Sequence, residues 1–234
     1  HGGHKGFHNV NWSFDEKNIK EDSLTLTHFS ENYDNGYPGN LNVSVKYTLS
    51  NRNILDIEFY AISDRDTIFN PTSHSYFNLN PRNKTIVKHR LKINSSKFLE
   101  IDNDYIPTGE FKNTAFTPFD FLSEKIIGDD LNKNNKQLNI AKGYDHCFVL
   151  NKGQKIAAEL SELESGRLIQ IFTDQPGIQL YTGNHLKGVF SKNQGLCLET
   201  QHFPNSPNVN SFPTTLLKSN TNYYSKTSYH FKLI

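Results

Sequence analysis

The strongest chemical signal in the chain is a carboxylate at the end of an apolar strand. Leu196 and Leu198 alternate with Cys197 and Glu199 as in a short buried strand, and the polar turn Thr200-Gln201-His202-Phe203-Pro204 follows. A carboxylate removed from water is costly unless it is paired or used. Glu199 is therefore either held by backbone donors or positioned to act on something. Three other polar groups look made to meet it. In Asn70-Pro71-Thr72-Ser73-His74-Ser75-Tyr76-Phe77-Asn78, strand geometry would put His74, Tyr76 and Asn78 on one face. Asp145 opens the apolar run Asp145-His146-Cys147-Phe148-Val149-Leu150. Gln179 and Tyr181 share a face in Gly177-Ile178-Gln179-Leu180-Tyr181. A carboxylate and an imidazole brought together have the chemistry of a proton-transfer pair. Each residue also has a plainer reading: His74 as a satisfied structural histidine, Asp145 as a turn cap, and Gln179 as a bridge between backbone groups.

Elements that could position these groups are strands. Phe 17 and Tyr 11, with Met 0, make a composition that favours sheet. Residues Leu41 to Leu49 alternate with strict period two. After the turn Asn51-Arg52-Asn53, Leu55, Ile57, Phe59 and Ala61 form one face of a second strand, which predicts an antiparallel hairpin. Further strands are expected over 23–29, 85–93, 156–163, 168–173 and 223–234. Turns are expected at 32–39, 106–110, 117–121 and 164–166. The Asn- and Lys-rich stretch 128–142 reads as a surface loop with a short helix around 130–138. Short strands punctuated by Gly, Pro and Asn, without repeat or linker, predict an all-β fold: one antiparallel β-sandwich domain over 1–234 with few short helices.

Bulk properties narrow the function classes. Lys+Arg 25 against Asp+Glu 24 leaves a formal net charge of +1, no electrostatic case for nucleic acid or an anionic membrane. No apolar run approaches membrane-spanning length, and a cytoplasmic protein is the default. Cys147 and Cys197 each lie in an apolar run as small buried hydrophobes, and nothing supports a disulfide. The opening His1-Gly2-Gly3-His4 could be a metal tract, but no second His pair with ligand spacing follows, and a loop is the better reading. A metal hydrolase built on His1, His4, His74 and His146 has poor spacings.

Taken together, these stretches resemble the aldose 1-epimerase (galactose mutarotase) family. The matching pieces are His1-Gly2-Gly3 with Gly6-Phe7 and Trp12, then Asn70 to Leu79 and Ile106-Pro107-Thr108-Gly109-Glu110. Gly143-Tyr144-Asp145-His146, Gln175 to Asn184, Leu198 to Pro204 and Tyr229-His230-Phe231 follow in the family's order. The resemblance implies a large antiparallel sandwich of the galactose mutarotase type. It also implies interconversion of the α and β anomers of free aldohexoses such as galactose and glucose, with no metal or organic cofactor. Carried over by position, Glu199 would be the general base and His74 the general acid, with His1, Tyr76, Asp145 and Gln179 binding the sugar. The family carries a segment before the His-Gly-Gly motif, with initial strands and a substrate-binding Arg. This chain starts at His1 without an initiator Met and is expected to be a truncated form whose activity depends on what is missing.

In that chemistry Glu199 removes the C1 hydroxyl proton while the imidazolium of His74 protonates the ring oxygen. Burial among Leu196, Leu198 and Phe203 should raise the Glu199 pKa. Asp145 or Glu199 should favour the charged imidazole. The pair is expected to face each other across a gap the width of a pyranose. A non-catalytic carbohydrate-binding protein would share the sandwich and need no acid/base pair. A hexose-6-phosphate 1-epimerase of the same fold would call for basic residues beside the motifs. The sequence leaves oligomeric state and sugar preference open.

Overall fold

The computed structural model describes residues 2–14, 19–82 and 84–234. Contacts divide the chain into two compact units, His1–Pro71 with Thr214–Ser228 and Thr72–Pro213 with Tyr229–Ile234. The strands are antiparallel in every pairing given below.

The first unit is built on β1 (Ser23–Ser30), β2 (Leu41–Ser50) and β3 (Ile54–Ser63), with the two-residue β4 (Thr67–Ile68) after them. The predicted hairpin is there. Val43 lies opposite Ala61, Val45 opposite Phe59 and Tyr47 opposite Ile57, so both apolar sets share one face. Its turn places Asn53 at φ 58, a left-handed conformation that Asn tolerates. Residues 2–6 form a loop here. A side chain on Gly3 (φ 94) would collide with Asn35, which bonds the backbone of Lys5 in both directions at 3.1 Å.

The second unit carries the remaining central strands. They are β5 (Tyr76–Phe77), β6 (Arg90–Ile93), β7 (Ser95–Ile101), β8 (Pro107–Asn113) and β9 (Lys125–Ile126). After them come β10 (Asp145–Leu150), β11 (Ala158–Glu162), β12 (Arg167–Thr173), β13 (Gly177–Tyr181) and β14 (Leu196–Gln201). One sheet runs in the order β5-β14-β13-β10-β7-β8, and a second contains β12-β11-β6-β9. Side chains from both are fully buried, Phe148 and Leu180 from the first and Leu91, Leu160 and Ile171 from the second. Each such side chain contributes about 1.5–3 kcal/mol on leaving water. Phe98 stacks on Phe119 with ring centroids 4.0 Å apart.

Several boundaries differ from the sequence reading. Residues 85–89 turn instead of extending, and the strand there is only β6. The 106–110 turn is displaced: the reversal occupies 102–106, with Tyr105 at φ 66, and residues 107–110 already belong to β8. The 128–142 stretch forms two helices, α1 (Gly128–Leu131) and α2 (Lys136–Ala141), the second capped by the Asn135 side chain on Gln137 and Leu138. It is not a solvated loop, because Gln137, Leu138 and Ala141 are buried. The Gln137 side chain bonds the Ile101 backbone twice, at 2.8 and 2.9 Å.

Near its end the chain forms β15 (Leu216–Leu217), which pairs with β4, and β16 (Tyr223–Leu233). In the first unit Leu217 joins Leu41, Val43, Ala61 and Phe69 in the core, with Phe7, Trp12 and Tyr223 packed against them. The early part of β16 lies beside β3, where Lys226 meets Asp56 at 2.7 Å. The last part, in the second unit, neighbours β12, with Phe172 against His230.

Candidate active site

The site is assembled on one face of the first sheet of the second unit. Alternation along β14 sends Leu196, Leu198 and Thr200 to one side and Cys197, Glu199 and Gln201 to the other. Pairing register then lines up rows across four strands. Tyr76, Cys197, Tyr181 and Asp145 form one row. Glu199, Gln179 and Cys147 form the next. Gly177 sits in the third row beside Gln201. A methyl group on Gly177 would lie 2.9 Å from Cys147 Sγ and 3.0 Å from the Phe203 ring, so glycine lets these two close in. Phe203 and Cys147 belong to an apolar cluster with Leu99 and Phe212.

His74 enters from the extended segment before β5. Thr72 ties that segment to β14 by donating its hydroxyl to the Thr200 carbonyl at 3.0 Å. The imidazole then lies between two β14 side chains, with Nε2 3.6 Å from Glu199 Oε1 and Nδ1 3.3 Å from Cys197 Sγ. Tyr76 packs on it with centroids 5.1 Å apart, and Tyr181 meets it edge-on at 6.1 Å. His74 is not enclosed, since about a third of its side chain is exposed. The pair is also much closer than the width of a sugar ring. The two oxygens that exchange protons in anomer interconversion are bonded to one carbon, so base and acid need span only a short distance.

Asp145 stands at the start of β10 because the preceding turn is rigid. Gly143 has φ 143, and a Cβ there would strike the Asn184 side chain, which itself bonds the carbonyls of Ala141 and Tyr144 at 2.9 and 2.8 Å. The Asp145 carboxylate caps no turn. It accepts from Gln179 Nε2 at 2.8 Å. The other atom of that amide, Gln179 Oε1, is buried without a hydrogen-bond partner among the described residues. Gln179 is thus neither exposed nor a bridge between backbone groups.

Burial sets the electrostatics. Glu199 is 7 % exposed. Burial first, then the neighbouring charge of Asp145, pushes its carboxyl from the ordinary 4.5 up to about 8. The expected direction and its cause, burial, are both found, although Leu196 and Leu198 face the other side of the sheet. Asp145 is also raised by burial, partly offset by the Gln179 hydrogen bond and by His185 and His74. Burial likewise raises the Tyr76 hydroxyl to about 12 and moves the Cys197 thiol up.

Of the residues named from sequence, the structure brings together Glu199, His74, Tyr76, Asp145 and Gln179. His1 lies outside the described residues. Asn78 is not part of the group: β5 is two residues long, and the Asn78 amide instead donates to the Gln194 carbonyl at 2.9 Å. His146 points to the opposite face of β10, fully buried, with Nε2 3.2 Å from Gln137 Oε1, so a set pairing it with His74 does not form. Both cysteines are free. Cys197, read as core filler, stands on the site face, and its shared parity with Glu199 was the available signal. Tyr181 was visible in the same way, two residues from Gln179. His185, stacked on Tyr181 at 6.5 Å, carried no sequence signal.

His74, Cys197 and Glu199 offer three potential ligand atoms within 4.8 Å of one another. The imidazole lies between the other two, with a different ring nitrogen toward each.

The chain is 34% identical to aldose 1-epimerase of Escherichia coli (strain K12), across 99% of this chain and 69% of that protein. It is 36% identical to galactose mutarotase of Sus scrofa, across 100% and 69%. The crystal structure of galactose 1-epimerase from Lactobacillus acidophilus NCFM superimposes with a TM-score of 0.89 at 32% identity, covering 100% of this chain and 69% of that one. With the aldose 1-epimerase family model matching residues 1–230, the chain belongs to the aldose 1-epimerase family of isomerases.

Proposed function

We propose that this protein interconverts the α and β anomers of free aldohexoses such as galactose and glucose, with Glu199 as base and His74 as acid. The observation that carries the reading is the 3.6 Å approach of His74 Nε2 to a Glu199 carboxyl whose proton affinity is raised to about 8. A base is most effective when its pKa lies near the working pH.

Glu199 takes the proton of the C1 hydroxyl, and the electron pair of that O–H bond becomes the second bond of the carbonyl. The bond from C1 to the ring oxygen breaks, and that oxygen takes the Nε2 proton of His74. The open aldehyde rotates about C1–C2. On closure the C5 hydroxyl attacks the other face of the carbonyl and returns its proton to His74 Nε2. Glu199 returns its own proton to the new C1 oxygen, so no net proton is consumed. Gln179 Oε1 and Asp145 accept hydrogen bonds from sugar hydroxyls, and Tyr76 and Tyr181 supply aromatic surface. A buried unpaired carbonyl costs about 1–3 kcal/mol, which a sugar hydroxyl at Gln179 would recover. The residues named on the site face include two carboxyl groups and no lysine or arginine to neutralise a phosphate, which disfavours a phosphorylated hexose. We place the reaction in the cytoplasm, in keeping with two unpaired cysteines. Among the described residues no helix is long and apolar enough to cross a membrane.

Polarimetry on freshly dissolved α-glucose and α-galactose tests the proposal. Turnover should fall by about 10²–10⁴-fold in Glu199→Gln and His74→Asn, with the fold retained. Sugar binding without any acceleration of mutarotation, or near-normal rates in either variant, would refute it in favour of a binding protein.

A further inference from the structure

We propose that Cys197 is a positioning residue for His74: its sulfur accepts the Nδ1–H, so that Nε2 is the nitrogen presented to Glu199 and the sugar. This rests on the acid role proposed for His74. The geometry is a three-membered line, with Cys197 Sγ 3.3 Å from Nδ1 on one side of the imidazole and Glu199 Oε1 3.6 Å from Nε2 on the other. Both flanking residues come from the same face of β14, two positions apart, so the strand itself sets the spacing. Thr72, bonded to the Thr200 carbonyl, holds the chain that carries the ring.

The sulfur suits the role because it is a weak acceptor. An imidazole reveals its reactive nitrogen only when the other one is occupied, and the usual partner is a carbonyl or a carboxylate. A carboxylate at Nδ1 would stabilise the imidazolium and oppose release of the Nε2 proton. A neutral thiol fixes the ring with less of that penalty. Burial, Glu199 and Asp145 all push the Cys197 thiol up, which keeps it neutral. The Tyr76 side chain also hydrogen-bonds this sulfur, so the thiol links the aromatic wall to the acid. Through a catalytic cycle the Nδ1 proton stays in place and only the Nε2 proton moves. Cys197 is 0% exposed and meets neither sugar nor solvent in this arrangement, so its contribution passes through His74.

Three substitutions in the full chain separate this from simple packing. Cys197→Val fills the space in a strand but accepts no hydrogen bond, and Cys197→Ala removes both volume and acceptor. Cys197→Ser keeps an acceptor. The expected result is a fall in kcat of about 10- to 100-fold in the Val and Ala variants with KM within about twofold, as for a misdirected catalytic group. Cys197→Ser should recover most of the rate. Nitrogen-15 spectra of histidine-labelled protein, with the His74 signals identified by their loss in His74→Asn, should show Nδ1 protonated in the wild type and a mixed tautomer in Cys197→Val. A Cys197→Val enzyme within twofold of wild-type kcat, a serine variant as slow as valine, or an unchanged tautomer would overturn the inference. Such results alongside an inactive His74→Asn would remove only this role of Cys197. An active His74→Asn would remove the acid assignment beneath it.

Discussion

Replacing Glu199 with Gln should cut turnover by about 10²–10⁴-fold and also stabilise the fold, by an amount that grows with pH. The carboxyl ionises near 4.5 ordinarily and near 8 in the folded site. Between those values the unfolded chain has released the proton and the folded chain still holds it. Folding therefore costs about 1.4 kcal/mol more for each pH unit climbed through that window. Below about pH 4.5 both states are protonated and the penalty vanishes; above about 8 it levels off. Integrated, the penalty is about 1 kcal/mol at pH 5, about 3 at pH 7 and 4–5 at pH 8.5, as an order of magnitude. Glutamine keeps the shape and the hydrogen-bonding oxygen but never has to ionise in the buried site. Urea unfolding of both proteins at pH 5, 7 and 8.5 measures the difference directly, with equal m-values confirming that the denatured states match. The reasoning is refuted if the stability gap does not change with pH, or if the wild type is the more stable protein at pH 8.5.

The same ionisation should shape catalysis. The base must be deprotonated to act, so on the acid side of 8 kcat/KM should rise with pH about tenfold per unit; a profile already flat at pH 6 would contradict the raised carboxyl. Gln179→Ala removes the donor to Asp145 and the unpaired acceptor together, and should raise KM for galactose about tenfold while leaving the fold intact, read by steady-state polarimetry. Gly177→Ala forces a methyl into contact with Cys147 and Phe203, and should lower stability by about 1–3 kcal/mol in thermal or urea unfolding.

Local pattern carried the parts of this fold that are local. The hairpin of β2 and β3 was legible because apolar residues alternate along both strands and a three-residue turn sets their register. The strands holding Asp145, Gln179 and Glu199 were legible for the same reason, each being a short apolar run with one polar residue of fixed parity. The reading failed where neighbours distant in sequence decide conformation. Ser95-Ser96-Lys97-Phe98-Leu99-Glu100-Ile101 shows no clean alternation, yet it forms β7 because β10 and β8 flank it. Pro107 and Gly109 look like a turn, but Gly109 lies inside β8 with φ 100, where a Cβ would stand 3.2 Å from Val209. The helical stretch after residue 128 has the composition of a surface loop because its Asn and Lys are conspicuous. Its buried residues are covered by partners such as Ile101, which composition does not reveal.

The residue types that the proposed sugar chemistry needs, and the strands that carry Asp145, Gln179 and Glu199, were legible in the sequence alone. Their meeting was not. His74 and Glu199 are separated by 125 positions, and what closes that separation is the pairing of β5 with β14 and one hydroxyl bond from Thr72 to Thr200. The side of the sheet on which Cys197 lies, the nitrogen of His74 that faces the carboxyl, and the burial that raises Glu199 are all products of that pairing. Electrostatic environment depends on every atom within several ångströms, and those atoms are gathered only when the sheet forms.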